Sequence, residues 1–178
     1  MTTIQLQFVA RKGMEFDESQ RKFLEEVSKS AQAQLNSNAF ERGVIFFKHK
    51  TGRRWHKGYK LNKGKTTHEI FTLLMSGKDP FDSEDKILNI HLNPYYKKSV
   101  GKHARTFSRR RSIGINVTYL NYCRDKASDG DARMSGTLLH EYIHLLGFRH
   151  FTQKGKPKDM PTVPWGIGNL MRKLVKES

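Results

Sequence analysis

The period of the apolar positions changes along the chain, and each change marks an element. From Thr3 to Val9, Ile4, Leu6 and Phe8 alternate with other residues, the two-residue period of a half-buried strand. Beyond Asp17, a side chain able to cap a helix, Leu24, Val27, Ala31 and Leu35 recur at three- to four-residue spacing. Asn36-Ser37-Asn38 reads as a turn, and Val44-Ile45-Phe46-Phe47 as a short buried strand. Strand, helix and strand together predict a crossover unit in a partly parallel sheet. Thr66 and Glu69 then spell a T-x-x-E capping box ahead of the stripe Ile70, Leu73, Leu74, with Gly77 placed to end that helix. Leu88, Ile90 and Leu92 predict another strand. Ile113, Ile115, Val117 and Tyr119, alternating with Gly114, Asn116 and Thr118, predict the cleanest one. Ser128-Asp129-Gly130-Asp131 is a turn that offers caps to the next helix. Leu138, Leu139, Tyr142, Ile143, Leu145 and Leu146 make that helix apolar on most sides, so it is expected to be buried and central. Residues 1–178 show no internal repeat or low-complexity linker and read as a single domain of α+β class.

Composition changes this picture in one respect. The 178 residues are 36% hydrophobic, enough for a core, but 33 Lys and Arg face 17 Asp and Glu, a net charge of +16. The cations cluster. Lys48 to Lys65 holds eight Lys or Arg and no acid, interleaved with Trp55 and Tyr59. A second acid-free run extends from Lys86 to Arg124. Such segments are solvated basic loops or surfaces for a polyanion, whether nucleic acid, cell-wall polymer, membrane surface or acidic protein. The single Cys123 excludes an intrachain disulfide and is expected to be a buried, idle thiol. The opening MTTIQLQFVA has no basic n-region with an apolar core behind it. That reads as a cytoplasmic chain, one exported without a cleaved signal, or the processed form of a secreted one. No apolar run near the front is long enough to span a bilayer.

The candidate chemistry lies in HEYIHLLGFRH, His140 to His150. Residues four apart on a helix share a face, so His140 and His144 can hold one metal ion at about 2.0–2.1 Å per nitrogen. Glu141 is rotated by about 100° from His140, which suits a general base beside the metal rather than a ligand on it. Gly147 tolerates the left-handed conformation that ends a helix, and the turned chain can bring His150 back as third ligand. Three protein ligands with a fourth position open describe a catalytic zinc. Asp159 and Glu177 are weaker choices for the third ligand, and His49, His56, His68, His91 and His103 read as surface or packing residues.

Matched at every fixed position, this H-E-x-x-H-x-x-G-x-x-H stretch resembles the metzincin zinc peptidases. The resemblance implies a twisted mixed sheet with an upper helix, a central active-site helix and a C-terminal helix, for which Ile167–Lys176 is the candidate. It implies one catalytic Zn²⁺ held by His140, His144 and His150, with Glu141 as catalytic base, acting on a peptide or protein substrate. It also implies a methionine turn beneath the metal. Met160 is the candidate, Met171 its rival, and TVPW (162–165) an alternative turn without methionine. No tyrosine follows Tyr142, so the tyrosine ligand of some metzincin branches has no counterpart. The edge strand that would pair with substrate falls near His103–Ser108, a basic segment, and implies acidic substrates selected by Arg105 and Arg109. The competing expectation is a polyanion-binding protein whose zinc site is structural or vestigial.

Overall fold

A computed structural model describes residues 1–48, 62–77, 85–101, 103–107, 109, 111–150 and 162–178. The fold is α+β, with six helices around one four-stranded mixed sheet among these residues. Strands β1 (Thr3–Phe8), β2 (Ile87–Tyr95), β3 (Ala104–Phe107) and β4 (Ser112–Asn116) take the order β1-β2-β4-β3. β1 and β4 both run parallel to β2, and β3 closes the sheet antiparallel to β4. Every residue of β4 is buried, as a central strand requires.

Helix α1 (Glu18–Leu35) starts where the sequence places it. Asp17 accepts from Gln20 N at 2.8 Å while the Gln20 side chain accepts from Asp17 N, a reciprocal capping box. This helix also covers the open edge of β1. Gln32 Oε1 accepts from Ile4 N at 2.8 Å, and Asn36 exchanges two hydrogen bonds of 2.7 Å with the backbone of Thr2. Thr66 and Glu69 form the expected capping box at the start of α3 (Thr67–Met75).

Two expectations are corrected. Residues 44–47 are not a strand: α2 runs Asn38–Ile45. A strand would put Val44 and Phe46 on one face, yet Val44 is fully buried and Phe46 is 64% exposed. The helical pair Phe40 and Val44 is buried instead, and Ser37 Oγ caps the helix by accepting from Phe40 N at 3.1 Å. The crossover from β1 therefore ends at β2 and, among the described residues, carries three helices rather than one.

The strand expected through Tyr119 stops at Asn116, and α4 (Val117–Asp125) begins there. Asn116 Oδ1 accepts from Thr118 N and Lys97 N, and its Nδ2 donates to the Ser99 carbonyl. This asparagine is a helix cap hidden inside an alternating pattern. On α4, Cys123 is buried as expected, and burial pushes its thiol pKa up.

The central helix is α5 (Gly130–Leu145). It packs on α1, α4, β3 and β4, and most extensively on the C-terminal helix α6 (Val163–Glu177). Gly136 and Gly168 bring those two helices together: a Cβ on Gly136 would lie 2.6 Å from the Gly168 carbonyl oxygen. α6 begins four residues before the expected Ile167, with Pro164 in its first turn, where its missing N–H costs nothing. No helix among the described residues is long and apolar enough to cross a membrane.

Candidate metal centre

The end of α5 is built to turn the chain back. Gly147 has φ +87°, the left-handed region, and its N–H donates to the His144 carbonyl at 3.0 Å. The Phe148 N–H donates to the Ile143 carbonyl at 3.3 Å, and both of those side chains are fully buried. Together these bonds make a Schellman motif with its hydrophobic contact. Lys63 Nζ adds a hydrogen bond of 3.3 Å to the Leu146 carbonyl, one of the acceptors the helix end leaves open.

The turn delivers His150 to the two helical histidines. Its Nε2 lies 3.0 Å from His140 Nε2 and 3.1 Å from His144 Nε2. One ring nitrogen from each histidine falls within 4.8 Å of the others. Nitrogens at about 2.0–2.1 Å around a tetrahedral ion stand roughly 3.3–3.4 Å apart, so the cluster has the dimensions of a three-histidine metal site.

The remaining ring nitrogens decide what the cluster needs. His144 Nδ1 donates to the Phe148 carbonyl at 2.7 Å. The His140 ring bonds the backbone of Pro164, whose only polar group is a carbonyl. Both rings thus spend their N–H outward and turn a lone pair inward. His150 Nδ1 meets Thr162 Oγ1 at 2.9 Å, a hydroxyl that can donate or accept. At most one proton, on His150 Nε2, is then available to three facing nitrogens, whereas a cation satisfies all three.

Burial strengthens the case. It pushes the His140 pKa down to about 3 and that of His150 down to about 4, with the neighbouring histidine charges adding to the effect. Both rings are neutral at ordinary pH, the form that ligates a metal.

Glu141 does not join the ligand set. Its carboxylate is buried on the β3 side of α5, where Thr106 Oγ1 lies 2.6 Å from Oε2 and 3.0 Å from the Glu141 carbonyl. Burial raises the Glu141 pKa, and the Thr106 hydrogen bond partly opposes that. His140 and Glu141 both line a cleft of about 650 Å³ between β3, α5 and α6.

The structure brings the three motif histidines together and puts Glu141 with His140 in the cleft lining, but sequence reasoning missed several of their supports. Thr106 had no motif to mark it. Thr162, Pro164 and Trp165 appeared only as an alternative turn, yet these TVPW residues hold His150 and His140. The Trp165 ring stands edge-on to His140 with centroids 4.8 Å apart. Met171 is buried within α6. Met160 and Asp159 lie outside the described residues, as do most of the basic segment from Lys48 to Lys65, His49 and His56 included. Of the two cations expected to select substrate, Arg105 lines the cleft and Arg109 is not among its lining residues. His103 is more than a surface residue: it lines the same cleft, stacked on Tyr119 at 3.9 Å between ring centroids.

No protein-family model, curated protein or solved structure matches the chain. The metal-binding capacity of His140, His144 and His150 therefore rests on local geometry and chemistry.

Proposed function

We propose that the protein is a zinc-dependent endopeptidase of metzincin type, with His140, His144 and His150 holding the ion and Glu141 acting as general base. One observation carries the reading: three Nε2 atoms converge beside a buried, non-ligating carboxylate that lines a cleft. A structural site would enclose its ion with four protein ligands, and a fourth is lacking among the described residues.

A bound zinc ion supplies Lewis acidity toward a substrate carbonyl and makes water acidic enough to be deprotonated near neutral pH. The chain's own residues do the rest. Glu141 accepts the proton of the attacking water and passes it to the leaving amine nitrogen. Its burial favours that role, because a carboxylate with a raised pKa is a stronger base. Thr106 fixes one carboxylate oxygen, which restricts the rotamers from which Glu141 can reach the cleft. Phe148, Thr162 and Pro164 orient the three imidazoles. Edge strand β3 runs beside Glu141 and offers an extended peptide a backbone to pair with.

Metal analysis of the purified protein, followed by a peptide-library digest with and without chelator, tests this reading. The expected result is one zinc per chain and chelator-sensitive cleavage. Glu141→Gln should keep the zinc and lower hydrolysis by about 10²–10⁴-fold, the usual worth of a general base. A folded chain that takes up no zinc, or one that binds polyanions but cleaves no peptide, overturns it.

A further inference from the structure

The cleft beside Glu141 is electropositive. Its described lining carries Lys97, Arg105, Arg133 and Arg172, against Glu141 as the one carboxylate. Two of these cations stand on the helices that build the metal centre, Arg133 on α5 and Arg172 on α6. Both are clasped by Asp129: Arg133 Nε donates to Oδ1, and a terminal nitrogen of Arg172 donates to Oδ2 at 2.8 Å. The Asp129 side chain is only 12% exposed, so this grip fixes where the guanidiniums stand.

One carboxylate cannot neutralise two guanidiniums. The trio keeps a surplus positive charge, and two of its ten N–H donors suffice for Asp129. His103 feels that surplus. Burial first, and then the charges of Arg133 and Arg172, hold its pKa below the ordinary range. A pair that served merely to tie α5 to α6 would need one arginine, and would not leave unneutralised charge facing a cleft.

The spacing fits an extended peptide. Arg133 and His140 are seven residues apart on one helix, nearly two full turns, so they share a face. The Arg133 guanidinium reaches back to Asp129, eleven residues before His140, so at about 1.5 Å per residue it stands roughly 16 Å along the axis, close to five residues of extended chain. Arg172 comes to the same point from α6: its Cβ would lie 2.9 Å from a Cβ built on Gly136, and its guanidinium meets Asp129 beside that of Arg133.

We propose that Arg133 and Arg172 form an anion subsite that binds a substrate carboxylate about five residues from the scissile bond, selecting acidic peptides. The assignment rests on the peptidase reading and adds its substrate class. The carboxylate is either an Asp or Glu side chain or the free C-terminus of a short peptide.

Binding to the full-length Glu141→Gln protein, which holds peptides without turning them over, tests the subsite. The probes are fluorescent peptides that differ only by Glu or Gln at one position, each made with a free or an amidated C-terminus. Fluorescence anisotropy should show the Glu peptide, or the free-acid peptide, binding about tenfold tighter than its neutral twin. That ratio should fall as salt rises. It should collapse toward one in Arg133→Gln and Arg172→Gln, while affinity for the neutral amide stays the same. A preference carried by the terminal acid alone supports the subsite and assigns it to the C-terminus. Equal affinity for all four peptides overturns it. Should either arginine variant fail to fold, Lys97→Gln and Arg105→Gln, which remove the other cations of the cleft, decide instead: a ratio they leave intact supports the subsite, and a ratio they abolish overturns it. The two readings also fail separately. Cleavage by the unaltered protein without acid preference overturns the subsite and leaves the peptidase standing. Arginine-dependent acid preference in binding, with no cleavage of any peptide, overturns the peptidase and leaves the subsite.

Discussion

The two halves of α5 solve the problem of burying polar groups in opposite ways. At its start, Asp129 forgoes capping the helix with its side chain and bonds Arg133 and Arg172 instead. Opposite charges meet there, and the cluster is stable within the chain alone. At the other end, His140, His144 and His150 turn three lone pairs toward one point, with outward partners holding them in place. No cation among the described residues is bonded to this point, where the arrangement calls for positive charge. The first cluster holds together without a ligand, and the second has the geometry to hold a metal ion. The difference lies in where the balancing charge comes from: Asp129 finds it within the chain, while the three lone pairs leave a place for a cation.

The largest expected effect comes from supplying a cation to the three histidines. Zinc at a thousandfold above its dissociation constant should stabilise the chelator-treated protein by about 4 kcal/mol. In a chain of this size that corresponds to roughly 8–16 °C in Tm. His144→Ala should lose nearly all of the rise, whereas Asp129→Asn should keep it, because its cluster does not share the ion. Differential scanning fluorimetry with and without zinc reads both. A Tm indifferent to zinc, or an equal loss in the two variants, erases the contrast between the halves.

Gly136→Ala tests the joint between them. Alanine in a helix gains at most about 1 kcal/mol over glycine. The added Cβ, however, would lie 2.6 Å from the Gly168 carbonyl oxygen and 2.9 Å from Arg172 Cβ. Backbone cannot rotate away as a side-chain tip can, so α6 must move, at a cost of roughly 1–3 kcal/mol. The net is a lower Tm in urea or heat. Because Thr162 and Pro164 sit at the head of α6 and hold His150 and His140, zinc affinity should fall as well. A stabilised variant with unaltered zinc binding would show that the helices are free to part.

How legible this was in the sequence depends on the range of the interaction. The capped helices α1 and α3 could be read because Asp17 with Gln20, and Thr66 with Glu69, act within one turn. The ligand set could be read for the same reason: helix periodicity places His140 and His144, and Gly147 with its positive φ returns His150. Residues 44–47 misled because four apolar residues in a row carry no period of their own; the signal lay upstream, in the Ser37 cap. Asn116 ended a strand that alternation alone would continue. Thr106 and Arg172 were out of reach, since they lie 35 and 43 residues from Glu141 and Asp129 and meet them only through tertiary packing.

The smallest expected effect probes the closed cluster by pH. The hydrogen bond from Arg133, then that from Arg172, lowers the Asp129 pKa from 3.8 to about 2. A carboxylate whose folded pKa is depressed adds stability above its unfolded pKa and loses it as pH falls through the folded value. Asp129→Asn never has that contribution. The Tm gap between the unaltered protein and this variant should therefore be constant above about pH 4 and close between pH 4 and 2. For a carboxylate held by two partly exposed arginines the gap is roughly 1 kcal/mol, or about 2–4 °C. Measuring both proteins in chelator makes the histidine titrations common to the two, so they cancel in the difference. A gap that persists unchanged at pH 2 would mean that Asp129 is held by shape rather than charge, and that the arginines keep their places in the cleft without it.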